Sequence, residues 1–131
     1  MGHRVLIVED SPTMRQLVAF ALRAIPDLQI TEAVDGLDGL KKAQAGNFDL
    51  AIVDINMPLM DGLKLIGILR QDPKNQRIPI VIISTEGGVE TKRRAEALGV
   101  NAYITKPILS GLVYKTVKAL LEGEEAGGGE K

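Results

Sequence analysis

Four apolar runs in this chain end in residues that can do chemistry. Val5 to Val8 leads into Glu9 and Asp10, and Leu50 to Val53 leads into Asp54. Ile80 to Ile83 leads into Ser84 and then Thr85, and Ala102 to Ile104 is followed by Lys106 and Pro107. Three carboxylates brought together repel one another, and burial alone raises their pKa values. A hard divalent cation resolves that conflict. Magnesium takes oxygen ligands, keeps several waters, and needs only one or two carboxylates plus a phosphate oxygen. Lys106 would add a positive point charge. A cation, an ammonium and a hydroxyl suit a phosphoryl group, whose oxygens need neutralising during transfer. An aspartate in that setting can be the nucleophile and form an aspartyl phosphate. Taken singly, each residue has a plainer reading. Glu9 and Asp10 suit a helix N-terminus, Asp54 could be a loop acid, Lys106 a surface lysine and Ser84 the end of a strand. It is the four strand ends together that make the pattern specific.

The elements that must position these groups are legible from the punctuation. Val5–Val8, Leu28–Thr31, Leu50–Val53, Ile80–Ile83 and Ala102–Ile104 are short apolar runs that read as strands. Ser11-Pro12 caps a first helix carrying Met14, Leu17, Val18, Ala21 and Ile25. Asp35-Gly36 turns into a helix with Leu37, Leu40 and Ala43, stopped at Gly46-Asn47. A third helix lies near Leu63 to Arg70 and ends before Asp72-Pro73. Gly87-Gly88 leads to a charged helix through Ala95 and Leu98, stopped by Gly99. Ser110 is placed to cap a last helix with Val113, Val117, Leu120 and Leu121 on one face. Strands alternating with helices predict a doubly wound α/β fold, a parallel sheet buried on both faces. Such sheets put their ligand site beyond the carboxyl ends of the strands, where the residues above stand. The Gly/Glu-rich stretch 123–131 has little to bury and reads as a flexible tail after a domain spanning 1–122.

Composition narrows the function. Sixteen basic against seventeen acidic residues give a net charge of -1, which argues against nucleic-acid binding. With no cysteine and one histidine, His3, thiolate sites, a His-based metal site and a Ser-His-Asp triad are set aside. No glycine-rich phosphate loop is present. The first apolar run is too short for a signal-peptide core and no run is long enough to span a membrane, so a cytoplasmic location is expected.

With these segments in hand, the chain resembles the receiver domains of two-component response regulators. The resemblance runs from Arg4 to about Leu121. It rests on Val5-Leu6-Ile7-Val8-Glu9-Asp10, on Asp54-Ile55-Asn56-Met57-Pro58-Leu59-Met60-Asp61-Gly62, on Pro79-Ile80-Val81-Ile82-Ile83-Ser84, and on Gly99 to Pro107. With no further domain following and Ser11-Pro12-Thr13-Met14-Arg15 after the acidic pair, it is most similar to the single-domain, chemotaxis-type CheY proteins. The resemblance implies a five-stranded sheet of order 2-1-3-4-5. It implies Asp54 as phosphoacceptor, with Glu9, Asp10, Asp54 and the backbone carbonyl of Asn56 holding magnesium, for which manganese can substitute. Lys106 would pair with the phosphoryl group across a cis Lys106–Pro107 bond. Ser84 would be the switch hydroxyl and Tyr103 the switch aromatic, which turns inward when Ser84 moves. Thr85 and Glu86 would modulate dephosphorylation. Implied partners are a histidine kinase or phosphotransfer protein and a downstream protein target. The target would be met by the fifth strand and last two helices, with Lys92, Arg93, Arg94, Tyr103 and Tyr114 as candidates. The protein would be a monomer able to dimerise on activation, catalysing its own phosphorylation and dephosphorylation.

Three departures from the family pattern stand out. Glu9 replaces the commoner aspartate, Ser84 the commoner threonine, and Thr85 a small alanine or glycine. A β-branched residue at that place is stiff and would hinder an attacking water or donor. Asn56 and Glu86 instead suggest a short-lived phosphate. Two other functions fit the fold: a binding module without phosphoryl chemistry, and a phosphate-ester hydrolase. The second would want an acid two residues after Asp54, where Asn56 stands.

Overall fold

The structure, a computed structural model, describes residues 2–123. The expected tail at 123–131 lies, beyond Gly123, outside the described residues. Strands β1 (His3–Val8), β2 (Leu28–Ala33), β3 (Leu50–Asp54), β4 (Ile80–Ser84) and β5 (Ala102–Thr105) alternate with α1 (Pro12–Leu22), α2 (Gly36–Ala45), α3 (Gly62–Arg70), α4 (Val89–Ala97) and α5 (Ser110–Leu121). The sheet is parallel throughout, in the order β2-β1-β3-β4-β5. β1 therefore lies between β2 and β3, and the chain reverses direction across the sheet there. Among the described residues no helix is long and apolar enough to cross a membrane.

Every strand residue of β3 and β4 is buried, because helices cover both faces. Period-two alternation sorts the side chains. Leu6, Val8, Val53, Ile80 and Ile82 pack with Leu65, Ile66 and Leu69 of α3. Val5, Ile7, Ile52, Val81 and Ile83 pack with Val18 and Leu22 of α1 and Val113 and Val117 of α5. Each carboxyl-end residue is thus fixed in height and direction by a buried strand behind it.

Three helix starts carry side-chain caps, two of them where the sequence placed them, at Ser11 and Asp35. Ser11 accepts from the Met14 amide, Asp35 from that of Asp38, and Asp61 from that of Lys64. Gly99 ends the α4 segment at φ 72°, a conformation that favours glycine. Ser110 departs from expectation. It is already helical, and extended Leu109 holds the cap position without a side-chain bond. The Leu109 carbonyl accepts from Val113, so the helical ladder starts one residue earlier than the serine suggested. Leu17 and Leu37, assigned to apolar helix faces, are about half exposed. In α1 the buried stripe runs through Val18, Ala21 and Leu22 instead. β2 also runs on through Glu32 and Ala33, because both pair with β1.

Arg70 holds the opposite end of the sheet together. Its guanidinium donates to the carbonyls of Leu98, Gly99 and Ile78 at 2.7–2.9 Å, which ties the end of α3 to the turns on either side of β4 and α4.

Candidate functional site

The β1–β3 register places Glu9 and Asp54 level with each other on neighbouring strands, since each directly follows the Val8–Val53 pair. Both are buried, at 3% and 4% exposure, while Asp10 is exposed. One carboxylate oxygen from each of Glu9, Asp10 and Asp54 lies within 4.8 Å of the others. Lys106 arrives because its amide donates to the Ser84 carbonyl at 2.8 Å, extending the β4–β5 ladder past the strand. The Lys106–Pro107 bond is cis. The ammonium stands 3.3 Å from Glu9 Oε1 and 3.5 Å from Asp54 Oδ1.

One ammonium does not satisfy three carboxylates. Asp54 Oδ1 is buried and accepts no hydrogen bond. Burial pushes the Asp54 pKa up, and the nearby Lys106 only partly offsets it. Burial likewise pushes Glu9 up to about 7, opposed by the Ser11 amide and reinforced by the Asp54 charge. An orphaned buried oxygen among hard oxygen donors is the environment that a divalent cation would satisfy. Glu9 is well oriented for this: its Oε2 accepts from the Ser11 amide at 3.1 Å, and its carbonyl accepts from Arg15 at 2.8 Å. Arg15 is held in turn by Glu32 at 3.0 Å.

Ser84 is fully buried at the end of β4, and its Oγ accepts from the Glu86 amide at 3.0 Å. Tyr103 is half-buried and donates its hydroxyl to the Glu86 carbonyl at 2.6 Å. Thr85, Glu86 and Asn56 are exposed. Asn56 and Glu86 line one cleft with Asp61, Thr91 and Arg94 beside the carboxylates' loop. Tyr114, on α5, is half-buried. It packs with the α1 and α5 side of the core, whereas Tyr103 packs with the other side.

Sequence reasoning missed the residues that hold the loop between Asp54 and α3. A Cβ on Gly62 would stand 2.1 Å from the Asp54 carbonyl oxygen, and one on Gly36 2.1 Å from that of Met60. Gly62 also donates its amide to the Ile55 carbonyl at 2.8 Å. At the loop's tip the Met60 amide donates to the Pro58 carbonyl across Leu59, whose φ is 70°. That is a strained γ-turn for a leucine, and Leu59 is 76% exposed. The Asp61-Gly62 pair was the available signal, a cap followed by a residue without a side chain. Gly62→Ala is expected to cost about 3 kcal/mol, the upper range for forced overpacking, because the clash is with backbone. Urea unfolding checks it; an unchanged midpoint would contradict this placement.

The family model of the response regulator receiver domain matches residues 5–118. The chain belongs to this family. It is similar to the chemotaxis protein CheY of Pseudomonas aeruginosa, 31% identical and covering 91% of this chain and 96% of that protein. It is also similar to CheY-3 of Vibrio cholerae, 34% identical with 91% and 92% covered. Among solved structures, the chemotaxis response regulator CheY4 of Vibrio cholerae superposes with a TM-score of 0.84 at 32% identity, covering 92% of this chain and 99% of that one. The receiver domain is therefore CheY-like, with the expected strand order. As a receiver it is a component of two-component signalling, and its acidic cluster is suited to a metal ion.

Proposed function

We propose that this receiver domain is a phosphorylation switch with Asp54 as the phosphoacceptor. The observation that carries the reading is Asp54 itself: buried, with an unsatisfied oxygen, beside two acids and one lysine. The donor is the phosphohistidine of a histidine kinase or phosphotransfer protein, or a small acyl phosphate. An Asp54 oxygen forms the new O–P bond while the donor's P–N or P–O bond breaks and its leaving group departs. Later a water attacks phosphorus, inorganic phosphate leaves, and the carboxylate is restored. Lys106 holds a positive charge against the phosphoryl oxygens throughout. Glu9, Asp10, Asp54 and the Asn56 carbonyl would hold magnesium, or manganese in its place. When bound, that ion neutralises charge on the transferring group. The Ser84 hydroxyl then turns to a phosphoryl oxygen and Tyr103 follows, reshaping the surface of α4, β5 and α5 for a protein target. Thr85, exposed beside the site, narrows access for the attacking water, and Glu86 acts on the same step.

A binding module lacking phosphoryl chemistry need not take up magnesium, so metal titration separates the readings. Calorimetry is expected to show one magnesium site, weakened at least 10-fold in Asp10→Asn. No binding by the wild type, or an unweakened site in the variant, would count against the switch.

A further inference from the structure

The loop that carries Asp54 to α3 holds a residue in a conformation its type resists. Leu59 has φ 70°, left-handed backbone that glycine and asparagine adopt readily and leucine does not. Leu109 is also exposed, but at φ -102° its backbone is ordinary. Packing does not offset the strain at Leu59. Met57 and Met60 on either side pack against the core, whereas Leu59 joins neither core cluster of the described residues and is 76% exposed. It has apolar company. Gly36 admits the Met60 carbonyl against the first turn of α2, which brings Val34 and Leu37, each 48% exposed, to the same rim. Acids stand around that rim: Asp10 and Asp61 are exposed and Asp35 is half-buried. Lys42 of α2 is already held, by Asp38 at 3.1 Å and the Glu32 carbonyl at 2.7 Å. An exposed apolar residue kept under strain beside a reaction site points to a contact made only in a complex.

We propose that Leu59 is a specificity-determining residue for the protein phosphodonor. With Val34 and Leu37 it seats on an apolar patch beside the donor's phosphohistidine, and basic donor residues meet Asp10 and Asp61. The inference rests on the phosphoryl reading above. Asp54 is 4% exposed at the carboxyl edge of the sheet, so a protein presenting a phosphohistidine to it must cover the loops of that edge. A small acyl phosphate has next to no apolar surface to bury against Leu59. The residue therefore separates protein donors from small ones. Burying one leucine in such a contact is expected to raise kcat/KM about 10-fold or more.

The test offers wild type, Leu59→Asn and Leu59→Met two kinds of donor. One is acetyl phosphate. The other is a set of purified histidine kinases of the source organism, autophosphorylated with ATP, of which the fastest donor to the wild type is kept. Uptake is followed by intact mass, and thermal unfolding and sedimentation are measured on each protein. Leu59→Asn is expected to unfold roughly 2–4 °C higher, since asparagine tolerates the left-handed position. Its kcat/KM with the kinase is expected to fall about 10-fold, through KM, while its rate from acetyl phosphate stays within about twofold of wild type. Leu59→Met keeps an apolar side chain and is expected to hold kinase transfer within about threefold of wild type. Equal loss with both donors, no loss with the kinase, no rescue by methionine, or no rise in unfolding temperature would overturn the inference and leave the phosphoryl reading intact. So would a wild type that acetyl phosphate labels and no kinase does. A wild-type dimer that Leu59→Asn dissolves would assign the rim to a second copy and overturn it too. No adduct from any donor would overturn both readings.

Discussion

Asp54→Asn is expected to unfold at a higher temperature than the wild type, by roughly 4–8 °C in metal-free buffer at pH 8. The group that would carry the phosphate destabilises the resting fold. It buries a carboxylate whose Oδ1 accepts no hydrogen bond, beside buried Glu9 and close to Asp10. An amide removes the charge, keeps the shape, and leaves Lys106 paired with Glu9 at 3.3 Å. Replacing a poorly compensated buried charge by a neutral isostere is commonly stabilising by about 1–2 kcal/mol. The pH dependence has a definite sign. Glu9 rises from its ordinary 4.5 to about 7 on folding, and Asp54 is also raised from 3.8. Across 4.5 to 7 the folded state holds a proton on Glu9 that the unfolded state has lost. Stability therefore falls as pH rises through that window, and the cost is complete above about 7. The advantage of Asp54→Asn is accordingly largest at pH 8 and shrinks towards pH 5. Millimolar magnesium shrinks it too, by stabilising the wild type through binding. Thermal unfolding at the two pH values checks this. A variant less stable than wild type at pH 8 would show that Asp54 is well compensated after all.

Lys106→Met is expected to slow phosphoryl uptake from acetyl phosphate by about 10²–10³-fold with magnesium present, the usual loss for one preorganised charge-stabilising donor. Among the described residues Lys106 is the cation paired with both buried acids. Without it, Glu9 and Asp54 have no opposing charge, so the metal-free protein also loses stability, most strongly above pH 7. Methionine fills the stem's volume, which separates loss of charge from loss of packing. Adduct formation followed by mass over time gives the rate. A rate within threefold of wild type would show that Lys106 serves the fold rather than the reaction.

The fold and the centre of the site were legible for one reason: in a parallel sheet covered on both faces, strands are uninterrupted apolar runs, and the first polar residue marks the carboxyl edge. Glu9, Asp54 and Ser84 were found that way. Lys106 stands two residues past Ile104, and only the β4–β5 ladder running one residue beyond the strand explains its reach. What escaped the sequence depends on contacts between distant segments. Nothing local says that Gly36 must admit the Met60 carbonyl, or that Gly62 must admit that of Asp54. Ser110 misled because serine is a good cap in general, while the cap here is fixed by the path of the chain after Pro107. Leu17 misled because a helix of period 3.6 can be drawn through it, although the sheet covers only the stripe through Val18 and Leu22. Lys92 read only as one of three basic residues on the face expected to meet a target, and its place over Tyr103 distinguishes it from its neighbours.

The central claim is that Asp54 takes up a phosphoryl group with the help of a divalent cation. Intact-mass spectrometry after incubation with acetyl phosphate, with and without magnesium, on wild type and Asp54→Ala tests it most directly. The chain has no tryptophan to report by fluorescence, and mass needs none. The expected result is a single phosphoryl adduct on the wild type with magnesium, none after chelation, and none on Asp54→Ala. Its decay time would show how far Thr85 shields the phosphate from water. An adduct that persists in Asp54→Ala, or a wild type that takes up no phosphoryl group from any donor, would contradict the account.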